Sequence, residues 1–444
     1  MVEEVDQAED RFAAFHARFA PFFFRAEVRE RSRRYLRALL APVDRKNGWQ
    51  LAEVMGEHDP NGAQRLLFEA VWDADAVRDE LERFVAEQFG DPEQGIFVLD
   101  ESGFPKKGAK SVGVKRQYCG MLGKRENCQV AVFLTYVSPR GHVFIDRRLY
   151  LPEEWAVDEE RRTEGGVPKD ITFQTKPALG RAMLDHAWEL GVRGGWLTGD
   201  EVYGSDSALR RQAEQHRQAY VLTVRANEAI WMWSVEQAPG QVRVVDLVAE
   251  RAPTEWTRLS AGQGSKGPRW YDWTRLPLLQ EAPSGWSRWL LARRSIEDPT
   301  EFAYYLAFAP AGTTLQTLVH VAGARWTVEQ CLEEAKGEVG LDQYQVRSWQ
   351  SWHRHITLVL LAHTFLAWLR QTAEERGGKG RAGARGRVGA GSETAAGRDL
   401  AACPQYIRGP AGLVRVATPA PAASQVLSLP TSCSDRLSLS AVIS

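Results

Sequence analysis

The stretch Arg325-Trp-Thr-Val-Glu329-Gln-Cys-Leu-Glu-Glu-Ala-Lys336 sets a guanidinium, a carboxylate and an ammonium at helical spacing. At about 100° per residue, Glu329 lies roughly 40° and Lys336 roughly 20° from Arg325, so the three share one stripe. Glu334 points to the opposite side. Thr327 is the expected N-cap, with good helix formers after it. A carboxylate between two cations suits one task, holding a divalent metal while the cations hold phosphate oxygens. Taken alone, the helix is read more simply as a solvated surface carrying an Arg325–Glu329 i,i+4 pair.

Two aspartates change that balance. Asp100 closes the apolar run Ile96–Leu99, and Asp200 follows Gly195–Thr198 in Leu-Thr-Gly-Asp-Glu-Val-Tyr-Gly. Sites in open α/β sheets form beyond the carboxyl ends of strands. If those two strands are neighbours, Glu329 on a helix across the sheet completes a three-carboxylate site. Like charges so close require cations. Mg²⁺ or Mn²⁺ would serve, and two ions ~3.5–4 Å apart would clamp the attacking and leaving oxygens of a phosphodiester. The alternative is that each Asp only caps or turns its strand end. Between Asp100 and Arg125 stand Lys106, Lys107, Lys110, Lys115, Arg116, Lys124 and Arg125 with several glycines. This reads as a flexible basic loop able to follow a phosphate backbone, or as an ordinary solvated loop.

The elements that must position these residues follow from periodicity. Residues 8–90 read as helices, one of them bearing Arg29, Arg31, Arg33, Arg34 and Arg37, with a cap at Asp73 or Asp75. This is a DNA-docking domain or an amphipathic bundle with a solvated Arg face. Next come Ile96–Leu99, a hairpin of Val130–Val137 with His142–Leu151, a helix over Lys176–Leu190, a strand over Gly195–Thr198, a helix over Ser205–His216 and a strand over Ala219–Val224. Three strands, helix, strand, helix, strand make a mixed sheet with helices on its faces. Residues 226–310 hold eight aromatic-rich positions from Trp231 to Trp289 among short alternating runs, an all-β insertion. The α/β rhythm resumes at Leu315, and helix continues through His355–Arg370. Gly377–Arg398 reads as an unfolded linker, and little order is expected over 400–444. His353 and His355, just behind the site helix, are read as packing or surface residues before DNA or metal contacts.

A chain of 444 residues, 44% hydrophobic and 25% charged, has the composition of an ordinary globular protein. Its net charge of −1 means that a nucleic-acid partner must be met by local patches. Five cysteines without a CxxC fit a reducing compartment and no zinc site. With no run of about 18 apolar residues and no signal peptide, a cytoplasmic protein is expected.

The residues Asp100-Glu-Ser-Gly-Phe-Pro-Lys-Lys-Gly108, Gly113-Val-Lys-Arg-Gln-Tyr-Cys-Gly120, Gly199-Asp-Glu-Val-Tyr-Gly204 and Arg325-x3-Glu329-x6-Lys336 resemble the DDE transposases of bacterial insertion sequences, and more narrowly insertion-sequence family 701. The resemblance spans roughly residues 20–370. It implies a ribonuclease H-like (retroviral integrase) α/β fold with an all-β insertion, a helical N-terminal domain and a disordered C-terminal tail. The expected division is 1–92 helical and DNA-binding, 93–225 catalytic, 226–311 insertion, 312–372 catalytic again, and 373–444 linker and tail. It further implies a metal triad of Asp100, Asp200 and Glu329, with Arg325 and Lys336 on DNA phosphates and Lys106, Lys107, Lys110, Lys115 and Arg116 along the DNA. The implied enzyme is a metal-dependent endonuclease and strand transferase acting on double-stranded DNA as a homodimer in its synaptic complex. The family signature's Tyr falls at Ala322, and the segment after about residue 375 lacks the expected basic, helical character. A decayed or domesticated copy acting as a DNA-binding repressor is the first rival; a glycosidase with paired carboxylates is the second.

Overall fold

The computed structural model describes residues 2–233, 239–264, 267–278, 282–385, 406–409 and 412–415. Five helices come first: α1 (Val2–Phe19), α2 (Ala26–Leu40), α3 (Gly48–Val54), α4 (Asn61–Phe68) and α5 (Ala74–Gln88). Asp73 caps α5, its side chain accepting hydrogen bonds from the backbone N–H groups of Asp75 and Ala76. Strands β1 (Asp91–Pro105), β2 (Lys115–Cys119), β3 (Lys124–Ser138) and β4 (Gly141–Leu149) follow, then helices α6 (Glu153–Ala156), α7 (Glu159–Gly165) and α8 (Lys176–Glu189). Next are β5 (Gly194–Gly199), α9 (Glu201–Gly204), α10 (Ser207–Gln215) and β6 (Ala219–Val224). A small pair, β7 (Ala229–Trp233) and β8 (Pro239–Arg243), leads through α11 (Val244–Ala249) to β9 (Thr257–Gly264), β10 (Gly267–Pro277), β11 (Trp286–Arg294) and β12 (Phe302–Pro310). Helices α12 (Leu315–Val339) and α13 (Trp349–Arg385) close the main body, and β13 (Tyr406–Gly409) pairs with β14 (Gly412–Arg415).

One ten-stranded mixed sheet runs β2-β3-β1-β5-β6-β12-β11-β10-β9, with β4 also paired to β3. Only β1–β5 and β5–β6 are parallel within it. Residues 226–311 were expected as an all-β insertion. Within them β9–β12 extend the central sheet through the antiparallel pairing of β12 with β6, and the helix α11 stands between β8 and β9. Helices α12 and α13 pack across the sheet, and α13 also packs on α2, α4 and α5. Within α13, Trp349–Ala373 is long and apolar enough to cross a membrane, but 61% of its apolar window is buried inside the molecule, as in a core helix.

Several boundaries differ from expectation. Strand β1 does not end at Asp100 but runs on to Pro105, because Glu101–Pro105 remain paired with β3 after the pairing with β5 has stopped. About half of the presumed flexible basic loop is therefore strand, with Lys115–Cys119 paired to Lys124–Cys128, while 106–114 stay outside any strand. Thr327 is not an N-cap: α12 starts twelve residues earlier, where Thr314 accepts from the Thr317 N–H, and Thr327 sits mid-helix. Gly377–Arg385, expected as linker, continue α13. The remaining calls on the linker and tail, over 386–405, 410–411 and 416–444, lie outside the described residues.

A buried charge network joins the helical layer to the sheet. The Arg147 guanidinium on β4 is fully buried; it donates to Asp75 at 2.9 Å and to the Thr357 hydroxyl of α13 at 2.9 Å. Arg78 on α5 donates to Asp146 at 2.8 Å. Glu82 is also fully buried, both its oxygens lack a hydrogen-bond partner, and Arg78 stands 3.7 Å away. Burial, reinforced by Asp146, carries the Glu82 carboxyl well above its ordinary 4.5. A raised folded value means that its contribution to stability is complete below the unfolded value and is lost as pH rises. Glu82→Gln is therefore expected to gain unfolding free energy on wild type as pH rises above about 5. Urea denaturation across that range checks it, and parallel profiles would refute it.

Candidate active site

The register of β1 and β5 brings Asp100 and Asp200 together. Leu99 pairs with Gly199 in parallel, so the next residue on each strand lies at the same edge. Helix α8 and its neighbours reach that edge closely. A Cβ on Gly180 would stand 3.1 Å from Leu99 Cδ1, a tight fit, and one on Gly204 would stand only 1.8 Å from the Thr223 carbonyl oxygen, where no side chain fits. Asp200 also caps α9, one oxygen accepting from the Val202 N–H at 2.9 Å. Asp100 accepts from the Glu101 N–H at 2.7 Å.

The electrostatics reflect this crowding. Burial first, and then the Asp200 charge, push the Asp100 carboxyl up to about 7, while the Glu101 N–H and Arg325 oppose the shift. Glu101 faces the same cluster and is raised by burial, with Lys176 pulling against it through a direct ion pair. The Tyr203 hydroxyl is buried beside Glu101, Asp100 and Asp200, and its ionisation is pushed well above the ordinary phenol value, by burial before anything else. Sequence reasoning missed Lys176 and Tyr203. Glu101 stood in plain view next to Asp100, but no local signal marks a lysine seventy-five residues away as its partner.

Helix α12 supplies the opposite wall. Arg325 acts on Asp100, and so does Lys336, whose ammonium is depressed by burial while Asp342, Cys119 and Asp100 act to raise it. Arg325 and Lys336 thus both lie near enough to Asp100 to act on its charge. Glu329 itself is turned to Arg325, 2.9 Å away, with a side chain 55% exposed. Among the described residues no three or more His, Cys, Asp and Glu side chains are gathered as the ligands of one metal ion. The structure thus brings Asp100 and Asp200 together and leaves Glu329 apart from them, ion-paired on the facing helix. Trp326 is enclosed by Tyr271, stacked parallel at 6.2 Å, and by the guanidiniums of Arg269 at 4.1 Å and Arg293 at 4.9 Å, which fasten α12 to β10 and β11.

The expected DNA-facing cations fare differently. Lys106 turns inward, over the Tyr344 ring at 3.5 Å and donating to the Tyr344 carbonyl, and burial lowers its ammonium to about 8. Lys110 pairs with Glu164, and Lys115 with Glu154 at 2.7 Å. Lys107 and Arg116 are exposed. In the Arg-rich helix α2, Arg34 pairs with Glu30, Arg31 with Glu57 and Arg37 with Glu9, so much of that face is ion-paired. His353 and His355 are packing residues: their ring nitrogens meet the Trp349 carbonyl and the Tyr35 hydroxyl, and burial lowers both to about 3. Of the insertion tryptophans, Trp273 and Trp289 are core, while Trp231 and Trp270 are exposed.

A desolvated carboxylate beside a second one is the setting a divalent cation relieves, so the donor set fits such an ion. The profile of the DDE superfamily endonuclease family matches residues 18–276, which include both aspartates but end before α12. A relative described as "Probable transposase for insertion sequence element IS701", from Microchaete diplosiphon, is 27% identical over 193 residues, 43% of this chain and 47% of the relative. The chain thus matches about half the length of that relative.

Because the folded value of Asp100 is raised, its contribution is lost as pH climbs through about 7. Asp100→Asn should therefore stabilise the metal-free protein by on the order of 4 kcal/mol near pH 8, with the gain shrinking as pH falls below about 7 and gone near pH 4. Thermal melts in chelator follow this directly, and added Mg²⁺ should raise the wild-type Tm while leaving the variant's unchanged.

Proposed function

The chain belongs to the DDE superfamily of endonucleases, and from that we propose a transposase that binds insertion-sequence ends, cleaves DNA and transfers the freed strand. The observation that carries this is the in-register pairing of β1 and β5, which sets Asp100 beside Asp200 under the cationic stripe of α12. Asp100, Asp200 and Glu329 are the residues that would hold Mg²⁺ or Mn²⁺. When bound, two such ions would supply activation of the attacking oxygen and charge neutralisation at the phosphodiester.

The chain's own part is orientation. Exposed i,i+4 ion pairs contribute only about 0.3–0.5 kcal/mol, so Glu329 can leave Arg325 at little cost. That exchange frees the Arg325 guanidinium for a phosphate oxygen, with Lys336 as a second point charge on the same face. Exposed Lys107 and Arg116 extend the track for the DNA backbone. The ribonuclease H-like arrangement, the helical layer as a DNA-docking unit, a homodimer in the synaptic complex and action on DNA in the bacterial cytoplasm belong to the same reading.

Alanine at Asp100, Asp200 or Glu329 should abolish cleavage of a duplex carrying the element's end while leaving band-shift binding near wild type. Arg325→Ala and Lys336→Ala should slow cleavage on the order of 10²-fold, through misplacement of the phosphate. A variant that still cuts removes that residue from the set. A wild-type protein that binds ends without cutting in Mg²⁺ or Mn²⁺ would favour the repressor.

A further inference from the structure

The turn between β2 and β3 carries an unusual surface. Tyr118 is 61% exposed, Met121 44% and Leu122 42%, three apolar side chains within five residues at the margin of the sheet. The chain turns through Gly120–Leu122 and closes at Gly123 with φ 61°, a left-handed conformation suited to glycine. Cations flank the tip. Arg125 lies directly opposite Tyr118 across the pair, and Arg116 and Lys124 stand nearby. The one carboxylate on this stretch, Glu126, meets Lys124 at 3.5 Å.

This tip stands beside the candidate active site. Cys119, one residue before the turn, is buried against β1, where a Cβ on Gly103 would come within 2.8 Å of its sulfur. Gly103 lies three residues beyond Asp100 on the same strand. Lys336 feels both Cys119 and Asp100. An apolar tip with cations at its base has the chemistry of a side-chain wedge in nucleic acid: cations grip the phosphates on either side while apolar groups part a base step. Exposed apolar groups on a sheet margin are otherwise a liability.

We propose that the β2–β3 turn is a wedge for the DNA beside the cut, Met121 and Leu122 parting a base step and Tyr118 stacking on the base thereby exposed. This rests on the reading that DNA is cut at the Asp100–Asp200 edge. The partner is the duplex end, because the charges around the tip complement phosphate.

The test uses the full chain and a duplex carrying the terminal repeat that flanks its gene, with 2-aminopurine placed step by step across the cleaved end. Wild type should raise the fluorescence at one step. M121S/L122S, altered only at exposed positions, should lose that rise and cut about tenfold or more slowly, since the unstacking energy enters the barrier. A mismatch at the same step should restore the variant's rate. Full fluorescence and full rate in the variant would overturn the wedge, as would a slowing that the mismatch does not relieve. If the variant instead loses self-association with its fluorescence rise intact, the tip belongs to a second copy and the wedge is again overturned. Wild type that cuts with no rise at any step defeats the wedge alone; wild type that never cuts defeats the functional reading beneath it.

Discussion

Parallel strands in register leave the residues just past their last pair side by side, and beyond the Leu99–Gly199 pair of β1 and β5 both of those residues are aspartates. Neither can move away from the other without breaking a pairing that continues through Leu99 and Gly199. The cost is visible in Asp100, held largely out of water and pushed up to about 7, by its burial and then by Asp200. The surroundings answer that cost in layers. Arg325 and Lys336 look on from α12, and Lys176 is drawn to Glu101. Cations supplied by the protein reduce the repulsion without removing it, which leaves the edge receptive to a further positive charge.

The strands that carry the aspartates were legible because short apolar runs ending in Asp are plain in the sequence. Their lengths were not. Glu101-Ser-Gly-Phe-Pro105 looks like a turn by composition, yet pairing with β3 keeps it extended. A tertiary partner overrode local preference. The start of α12 was misplaced for a related reason: Thr327 offered a plausible cap, but the Thr314 cap and packing across the sheet carry the helix back to Leu315. The stripe of Arg325, Glu329 and Lys336 depends only on phase, so it survived the wrong starting point.

Partnerships between distant segments were the least legible part. Alternation identified β9–β12 as strands without saying that they would join the central sheet at β6. Seven cations after Asp100 looked like one basic track. Glu154 and Glu164 claim two of them, and Tyr344, more than two hundred residues away, claims a third. Charge content can be read along a chain, but which charges remain free is decided by folding.

Helix α12 is unbroken for 25 residues, and it is fixed within its first half. At Gly323 a Cβ would stand 1.9 Å from the Ala261 carbonyl oxygen, so backbone lies on backbone there. From that anchor point Arg325, Glu329 and Lys336 are held by a stiff rod. Inserting or deleting one residue between Gly323 and Lys336 would turn everything downstream by about 100° and shift it by about 1.5 Å. An exposed side chain off the stripe can therefore be exchanged without disturbing that phase, whereas a change of length cannot, and loops such as the one between β11 and β12 carry no such phase to preserve.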